Sequence, residues 1–519
     1  MKNITKYLII VAGIVLGFAC VKEPTMSATE IEQRSLKAWI EKYHPELLEN
    51  YQEEGGYYVE ILDRGVQDSL PITGKDAWLW VDFTARDLQG NVCETRSWEL
   101  ALQQNTYNNH THYTPVFRFS GKDSHTLLEG SYLAIFNKLK IGDEEFEARY
   151  GTRLRLYLPS TVTSSNTGGT ADGGYEGQYE LDGDKPAIVD MMVYGHITNP
   201  VAYEGNRVDS FANINGGLCT EHKAEPKEDA ESAEKSMRRR ITRADSEEGE
   251  EEVDTRPLEF FDGRWHQPID TLAQLYVNYA YSPARNTFDY NAIGVDTLMY
   301  PSENGYDKGK IYGSTTLADI DRRINEALVE RFGEGITYDE VLEADSLKTK
   351  ATAKVWYIGR FLDGYVFDTN IDEVREIVFG DVGEAGEALS FETKKPLDND
   401  YILAWNYSLP TLRLGQWATI LTVSTYAYGI SGQVGAHTST TTGDTSAIDY
   451  ANYYNYMSYM NSMYGYGYGS MYNSGYYGYN PYYYGYNYVP SNTNTTTITT
   501  TATEIPSYSP MIFQVFVEK

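Results

Sequence analysis

A pair of histidines and three cysteines are the first residues in this 519-residue chain that could do metal or nucleophilic chemistry. His110 and His112 stand one residue apart, but no acidic or Cys neighbour completes a ligand set, which favours a solvated loop. Cys20, Cys93 and Cys219 are too few for a disulfide scaffold and are not spaced for zinc. The sequence also lacks a phosphate-cradling Gly-rich loop, a Gly-x-Ser-x-Gly elbow and EF-hand spacing. We therefore expect no metal and no cofactor.

A stretch of aromatic residues and one acidic pair beginning at Val355 has the pattern of a β-hairpin. Asp363-Gly364 is a strong turn signal, and it joins two runs whose aromatic residues can share a face. Phe367 and Asp368 follow directly in the second run. The pattern predicts a hairpin that presents an aromatic ring and a carboxylate together.

This block resembles the signature of FKBP-type peptidyl-prolyl cis-trans isomerases. The resemblance continues in family order through four later blocks, namely 400–405, 412–423, Tyr426-Ala-Tyr-Gly429, and Ile505-Pro506 with the closing strand 511–517. It implies a pocket for a proline ring, formed by Tyr357, Phe367, Asp368, Tyr401, Ile402, Trp405, Tyr428, Ile505 and Phe513.

The resemblance also implies roles for these side chains. Trp405 would lie under the proline ring, with Phe367 and Phe513 as walls. Tyr428 would donate its hydroxyl to the substrate carbonyl, and Asp368 would orient Tyr357 or polarise that carbonyl. Trp405, Asp368 and Tyr428 are thus the catalytic candidates, and the other six are substrate-binding candidates. Plain core packing is the alternative for any one aromatic residue taken alone.

The chain departs from the family pattern at three positions. Leu389 stands where an aromatic wall is usual, and Ala404 replaces the Gly before the Trp. Pro410 lies near the end of the pocket helix and is expected to shorten it. These departures concern the rate and the ligand affinity more than the fold.

The first half of the chain carries a degenerate copy of the same pattern. Residues 81–95 have the spacing of the second-half signature, 130–142 repeat the helix block, and 153–159 and 187–193 repeat two strands. The Phe-Asp pair has become Cys93-Glu94, Tyr132 stands for the floor Trp, and Tyr-x-Tyr-Gly is absent. We expect this copy to bind proline poorly and to serve as a scaffold or client contact, with Cys93 a small buried hydrophobe.

The fold predicted from these patterns is α+β, with two FKBP-like domains, each a curved antiparallel β-sheet wrapped on a short helix. The predicted segments are a signal peptide 1–19, a tether and helix 20–50, the degenerate domain 51–215, a charged linker 216–257, a strand and helix extension 258–350, and the second domain 351–519 with an insert 430–504. Periodicity predicts helices over 31–48 and 317–332 and a strand over 275–281.

Charge is unevenly distributed along the chain. The formal net charge of −31 disfavours nucleic acid as a partner, because phosphate binding needs concentrated Lys and Arg. Residues 220–256 combine Arg238-Arg239-Arg240 with an acidic block and contain few apolar residues, which predicts a flexible disordered linker. The basic triplet would be either a solvated part of this linker or a site for a protease or an anion.

The N-terminus has the pattern of a bacterial export signal. Lys2 and Lys6 precede an apolar run, 7–19, that is too short to span a bilayer. The run ends in Ala19-Cys20 and resembles a lipobox of a Bacteroidota envelope lipoprotein, which implies lipidation of Cys20; the alternative is an ordinary secretion signal with a chance Cys. We expect an outer-membrane lipoprotein on the periplasmic side or the cell surface, held to the membrane by its lipid anchor.

The insert between Gly429 and Ile505 is rich in Tyr, Gly, Asn and Ser, where the family has a short flap. Tyrosine offers contact area at low entropic cost, so the insert suits adaptable binding of unfolded or glycan surfaces. The alternative is a disordered low-complexity segment without a fixed role.

The function predicted from the sequence is an envelope-tethered peptidyl-prolyl isomerase and chaperone. Its clients would be proline-containing exported or outer-membrane proteins, and catalysis would reside in the C-terminal domain. The alternative is a non-catalytic FKBP-like subunit of an outer-membrane assembly, transport or secretion complex, in which both domains are docking modules.

Overall fold

The computed structural model describes seventeen stretches of the chain: residues 27–72, 77–105, 107–121, 125, 127–163, 186–219, 260–269, 271–285, 288–290, 312–337, 339–341, 344–345, 347, 351–380, 385–433, 435–442 and 495–519. The predictions for the signal peptide, Cys20, most of the charged linker and the Tyr-rich part of the insert therefore lie outside the described residues. Within the described stretches, none of the helices is both long enough and apolar enough to cross a bilayer.

The N-terminal helix α1 spans Ala28–Tyr43 and begins with a capping box between Ser27 and Glu30. The predicted helix continued to residue 48, but α1 ends before Pro45, and a 3-10 helix follows over Pro45–Asn50. Proline disfavours helical geometry in the residue before it, which explains the break at His44.

The first half builds a seven-stranded antiparallel sheet. Its strands are β1 (Tyr51–Gln52), β2 (Tyr57–Arg64), β3 (Ala77–Asp87), β4 (Val92–Thr95), β5 (Val116–Ser120), β8 (Thr152–Leu158) and β9 (Ala187–Ile197), while β6 (Leu139–Ile141) and β7 (Glu144–Phe146) form a separate hairpin. The helices of this half are α2 (Trp98–Gln103), α3 (Glu129–Phe136) and α4 (Pro200–Ile214).

The second half builds a six-stranded antiparallel sheet. Its strands are β10 (Leu275–Asn278), β11 (Thr352–Phe361), β12 (Val366–Thr369), β13 (Leu389–Glu392), β14 (Trp417–Thr422) and β17 (Met511–Val517), and β15 (Ala436–Thr442) pairs with β16 (Thr495–Ala502) in a separate two-stranded ribbon. The helices are α5 (Leu317–Phe332), as the periodicity predicts, α6 (Asp372–Phe379) and α7 (Leu403–Ser408).

The two sheets have the same strand order. The first runs β2-β8-β9-β3-β4 with β5 beside β3, and the second runs β10-β14-β17-β11-β12 with β13 beside β11. Short helices occupy equivalent places, since α3 packs on β8 and α7 packs on β14. Mixed helix and antiparallel sheet, an α+β architecture, is thus repeated in the chain.

Two segments belong to a different unit than the sequence suggests. The segment containing β10 was predicted as an extension outside the second domain, but β10 pairs with β14 as the edge strand of the second sheet. Helix α4 lies before the predicted boundary at residue 215, yet its Val208, Phe211 and Ala212 are buried in the core of the second half. These apolar side chains were assigned to the first half only because of their position in the chain.

Polar and aromatic contacts join the two halves. His112 Nε2 lies 2.8 Å from Asp363 Oδ2, and the Tyr365 hydroxyl donates to the backbone carbonyl of Asn109 at 2.6 Å. His110 stacks on Phe379 with ring centroids 4.1 Å apart. The two histidines singled out in the sequence therefore take part in contacts with the second half. Among the described residues, no group of three or more His, Cys, Asp or Glu side chains could hold a metal ion.

Candidate functional site

The predicted hairpin is formed by β11 and β12 around Asp363 and Gly364. The Asp363 carboxylate accepts a hydrogen bond from the backbone N–H of Tyr365 at 3.1 Å, and Gly364 has φ +94°, which glycine adopts readily. The register places Gly359 of β11 opposite Asp368 of β12, with a β-bulge between residues 359 and 360. The tight turn at Asp363-Gly364 therefore sets the strand register that places the Asp368 carboxylate opposite Gly359.

Gly359 makes room for the ring of Phe367. A Cβ atom added at Gly359 would lie 2.7 Å from Phe367 Cζ, closer than real Cβ contacts. Phe367 is only 4% exposed, so the ring has little freedom to move away. The close approach of the Phe367 ring therefore requires glycine at residue 359.

The aromatic side chains predicted from distant segments meet in one cluster. Trp405 lies edge-on to Phe513 with ring centroids 5.4 Å apart, and Tyr357 contacts Trp405 at 4.9 Å. Phe367 is nearly perpendicular to both Phe513 and Tyr428, at 5.9 and 6.0 Å. Perpendicular rings form walls at right angles, an arrangement that favours edge-to-face attraction.

Helix α7 positions Trp405 at the base of this cluster. Ile402 is the N-cap residue of α7, and Tyr401 contacts the Trp405 ring at 5.9 Å. The helix has six residues and continues as a 3-10 turn over Leu409–Thr411, which agrees with the expected effect of Pro410. The Trp405 indole N–H is buried and has no hydrogen-bond partner among the described residues.

A short hydrogen bond joins Tyr357 to Asp368. The Tyr357 hydroxyl donates to Asp368 Oδ2 at 2.6 Å. Burial raises the pKa of Asp368 above its ordinary value, although the hydrogen bonds from Tyr357 and from the backbone of Thr369 oppose the shift. Burial, and then the negative charge of Asp368, raise the pKa of both Tyr357 and Tyr428. Both phenols therefore stay protonated at neutral pH and are available as donors.

Tyr428 lies in a turn that follows β14. A 3-10 helix spans Ser424–Tyr426, and the backbone N–H of Gly429 donates to the carbonyl of Ser424 at 2.8 Å. Gly429 has φ +80°, a conformation that favours glycine. The Tyr428 side chain is half-buried, and its hydroxyl makes no hydrogen bond to a described residue. This phenol can donate to a bound ligand.

Ile505, the last candidate residue considered, lies between β16 and β17, after the insert. It forms an isolated antiparallel bridge with Gln433, with backbone N–H to carbonyl distances of 2.8 Å in both directions. Ile505 is 4% exposed and belongs to the same apolar core as Trp405 and Phe513. Eight of the nine candidate residues thus belong to, or pack against, one core, and the ninth, Asp368, is hydrogen-bonded to Tyr357 of that set.

The degenerate copy aligns with this site residue by residue. Ala85 pairs with Glu94 as Gly359 pairs with Asp368, and both hairpins have a bulge after that pair. The same register puts Cys93 at the Phe367 position. Where the second sheet needs a glycine in contact with a large ring, the first has Ala85, and Cys93 stands at the position of that ring.

Two further positions of the first copy differ in a way that removes the site. Phe83 occupies the strand position of Tyr357, so the hydroxyl that would meet the carboxylate is missing. We expected Tyr132 at the floor position, which is wrong: the N-caps Leu128 and Ile402 have the same backbone geometry, and counting from them places Ser131 at the Trp405 position. Tyr132 instead stacks on His125 at 4.1 Å.

The sequence analysis did not identify two carboxylates beside the site, one buried and one partly buried. Glu204 of α4 accepts hydrogen bonds from the backbone N–H and the hydroxyl of Ser424, which begins the Tyr428 turn. Glu504, next to Ile505, lies within ion-pair distance of Arg96 and Arg118 of the first half. Their partners are more than 200 residues away in the chain, and no local pattern identifies such pairs.

A separate cavity of about 740 Å³ lies between α5 and residues 283–290. None of the nine site residues lines it. Residues 286–287 and 291–311, next to it in the chain, lie outside the described residues, and we assign it no role.

The chain resembles solved structures of FKBP-type isomerases only distantly. The three FKBP domains of wheat FKBP73 match with a TM-score of 0.18 and 11% identity, over 90% of this chain and 95% of that one. AtFKBP13 matches with a TM-score of 0.19 and 14% identity, over 28% of this chain and 96% of that one. A peptidyl-prolyl cis-trans isomerase from Pseudomonas syringae matches with a TM-score of 0.20 and 14% identity, over 33% and 98%.

No family model matches the chain, and no curated protein matches it in sequence. Because the TM-scores are far below 0.5, we base the proposals below on the chain's own residues and geometry.

Proposed function

We propose that the second half of the chain is an FKBP-like peptidyl-prolyl cis-trans isomerase, and that the first half is a degenerate copy of it. The observation that carries the proposal is the joint presence of perpendicular aromatic rings around Trp405 and the part-buried Tyr357–Asp368 hydrogen bond. Ordinary core packing accounts for the aromatic rings, but it does not need a part-buried carboxylate among them.

The reaction is a rotation about an Xaa-Pro bond and needs no nucleophile. Its barrier is about 18–20 kcal/mol, because twisting the bond destroys amide resonance. The twisted amide is less dipolar than the planar one, so an apolar environment stabilises it relative to the planar state. In this proposal the proline ring packs on Trp405 between Phe367 and Phe513.

The polar groups act at the rim of the pocket. The hydroxyl of Tyr428, which has no hydrogen-bond partner among the described residues, donates to the substrate carbonyl and holds the bent peptide. Asp368 fixes the orientation of Tyr357 through the hydrogen bond of 2.6 Å and keeps a negative charge beside the twisting carbonyl carbon. Tyr401, Ile402 and Ile505 contribute the remaining contacts to the substrate.

An isomerisation assay with a short Xaa-Pro peptide tests the proposal. We expect Tyr428→Phe and Asp368→Val to lower kcat/KM, and Tyr426→Phe to leave it unchanged, because Tyr426 is a half-buried tyrosine in the same turn with no assigned role. Equal, near-background rates in the wild type and all variants would contradict catalysis.

A second candidate is that both halves are non-catalytic docking modules of an outer-membrane complex. The first copy favours it, because Phe83, Cys93 and Ser131 replace the groups that a proline pocket needs while the fold is kept. Co-purification from solubilised membranes, with wild type and Tyr428→Phe compared, separates the two: docking predicts partners that both proteins retain.

We further propose that Cys20 carries a lipid that holds the protein in the outer membrane. The supporting observation is the basic and apolar N-terminal pattern ending in Ala19-Cys20. Metabolic labelling with a fatty acid, followed by membrane fractionation of wild type and Cys20→Ala, tests it. Unlabelled wild-type protein in the soluble fraction would refute the anchor.

A further inference from the structure

The segment between β16 and β17, which carries Ile505, is held by arginines of the first half. Glu504 Oε2 lies 3.2 Å from Arg96 Nη2, and Glu504 Oε1 lies 3.6 Å from Arg118 Nη1. The side chains of both arginines are less than one-tenth exposed, and that of Glu504 is 21% exposed. Burial disfavours the charge of Glu504, but Arg118 and Arg96 together hold its pKa below the ordinary value. The contact is therefore ionic and largely shielded from water.

The same cluster includes the residue that stands at the Asp368 position of the first copy. Glu94 Oε1 lies 3.6 Å from Arg96 Nη2, and the Glu94 side chain is 1% exposed. Glu94 and Glu504 supply two negative charges, and Arg96 and Arg118 supply two positive charges. Buried charges are tolerated when they are paired with opposite charges in this way.

Asp368 bonds to Tyr357 in the second half, whereas Glu94, at the same register position in the first half, contacts an arginine. Phe83 offers no hydroxyl to Glu94, and Arg96 takes the place of that partner and extends the cluster to Glu504. The first copy has an interdomain ionic contact where the second has a carboxylate facing its proline pocket.

A second contact, between Glu204 and Ser424, holds the turn that carries Tyr428. The Glu204 carboxylate, 1% exposed, accepts from both the N–H and the hydroxyl of Ser424, the latter at 2.9 Å. Ser424 in turn accepts the backbone N–H of Gly429, the residue after Tyr428. Helix α4, which carries Glu204, directly follows the first sheet in the chain. The turn of Tyr428 and the strand of Ile505 are therefore both anchored from outside the second sheet.

We propose that the first half positions the proline site of the second half through Glu94–Arg96–Glu504, while helix α4, which packs in the second core, holds the turn of Tyr428 through Glu204–Ser424. The inference rests on the proposed isomerase function and adds a role for the degenerate copy. Rigid placement of the groups around a bound substrate contributes directly to rate, so loosening either contact lowers catalysis without touching a catalytic residue.

The test uses full-length variants and two independent measurements. Glu504→Gln and Arg96→Gln remove the ionic contact, Arg96→Lys keeps the charge, and Arg64→Met removes an exposed ion pair with Glu144 as a matched control. We expect kcat/KM to fall roughly 2- to 30-fold in the two Gln variants, to recover largely in Arg96→Lys, and to stay unchanged in Arg64→Met.

Hydrogen exchange of the amides in 424–433 and 503–510 is the second measurement. Faster exchange of 503–510 in both Gln variants, together with the loss of activity, supports the proposal. Glu204→Gln should speed exchange in 424–433 and lower activity in the same way. Normal exchange, or faster exchange with full activity, overturns the positioning role. A wild type without isomerase activity overturns the function as well, and this is seen before any variant is compared.

Discussion

Glu94 and Asp368 occupy the same register position in two sheets of the same strand order, yet they have different partners. Asp368 accepts a hydrogen bond from Tyr357 beside a cluster of aromatic rings, whereas Glu94 contacts Arg96 in a largely buried ionic cluster. The two carboxylates lie opposite Gly359 and Ala85, respectively. One backbone arrangement thus supports a candidate proline site in the second half and an interdomain contact in the first.

The pH dependence of catalysis should follow the ionisation of Asp368. Its pKa is raised by burial, so protonation occurs at a higher pH than the ordinary value of 3.8. The carboxylate must be ionised to hold Tyr357 as a donor, so kcat/KM should rise with pH from about 3.8 through the raised pKa. Asp368→Asn should lack this rise. A rise of the same shape in that variant would assign it to another group.

The stability of the wild type should move in the opposite direction with pH. An acid with a raised pKa in the folded state binds its proton more tightly there, so its stabilising contribution is full below the unfolded pKa and is lost as pH rises through the folded one. We expect the unfolding temperature of the wild type to fall relative to Asp368→Asn over that window. Calorimetry at a series of pH values measures it, and a constant difference would contradict a raised pKa.

Gly359→Ala should damage the site through packing. The added methyl group would meet the Phe367 ring at 2.7 Å, and overpacking of this kind costs about 1–3 kcal/mol in the free energy of unfolding. Adding Phe367→Cys reproduces the pair found in the first copy and removes the overlap, but it leaves a cavity in the core, so neither stability nor activity should return. Urea unfolding and the peptide assay measure the two effects.

Ala85→Gly in the first sheet is the matched control for this prediction. Cys93 lies next to Glu94 in the facing strand, so no large ring depends on the size of residue 85. The substitution should cost at most about 1 kcal/mol, for the added backbone freedom, and should leave isomerase activity unchanged. A fully active Gly359→Ala protein would show that Phe367 is not confined as described.

Arg360→Met should strongly destabilise the second half. Arg360 is 1% exposed; its Nη1 lies 2.6 Å from Asp321 Oδ1, and its Nε donates to Gln514 at 2.9 Å. Removing it leaves a largely buried carboxylate without its partner, which costs about 3–5 kcal/mol in the free energy of unfolding.

The exposed pair of Arg64 and Glu144 provides the control for Arg360. Both side chains are more than half exposed, and exposed ion pairs contribute about 0–1 kcal/mol. Arg64→Met should therefore scarcely change unfolding by urea. A loss in Arg360→Met as small as that in Arg64→Met would show that water reaches the buried pair.

Much of the secondary structure could be predicted from local sequence patterns. The 3.6-residue period of 317–332 gives α5 with the predicted ends, and Asp363-Gly364 gives the β11–β12 turn because Gly364 adopts a positive φ. The nine candidate site residues came from the resemblance to the FKBP-type signature, and their roles in binding and catalysis stay a prediction. Their assembly into one cluster then follows from the strand order.

Contacts between residues that are far apart in the sequence could not be predicted from local patterns. Helix α4 buries its apolar stripe in the second core, and Glu204 bonds to Ser424, 220 residues later. The floor position of the first copy was misplaced by one residue, because only the N-cap geometry of Leu128 fixes where helix α3 begins. In each case the deciding information is the packing of the two halves.

The most direct test of the account is to observe catalysed rotation itself. Uncatalysed Xaa-Pro isomerisation takes tens to hundreds of seconds at room temperature. Two-dimensional NMR exchange spectroscopy of an Xaa-Pro peptide with a small amount of full-length protein should show cis–trans cross-peaks within about one second of mixing, and Tyr428→Phe should weaken them. Absence of cross-peaks with the folded wild-type protein would contradict the isomerase account.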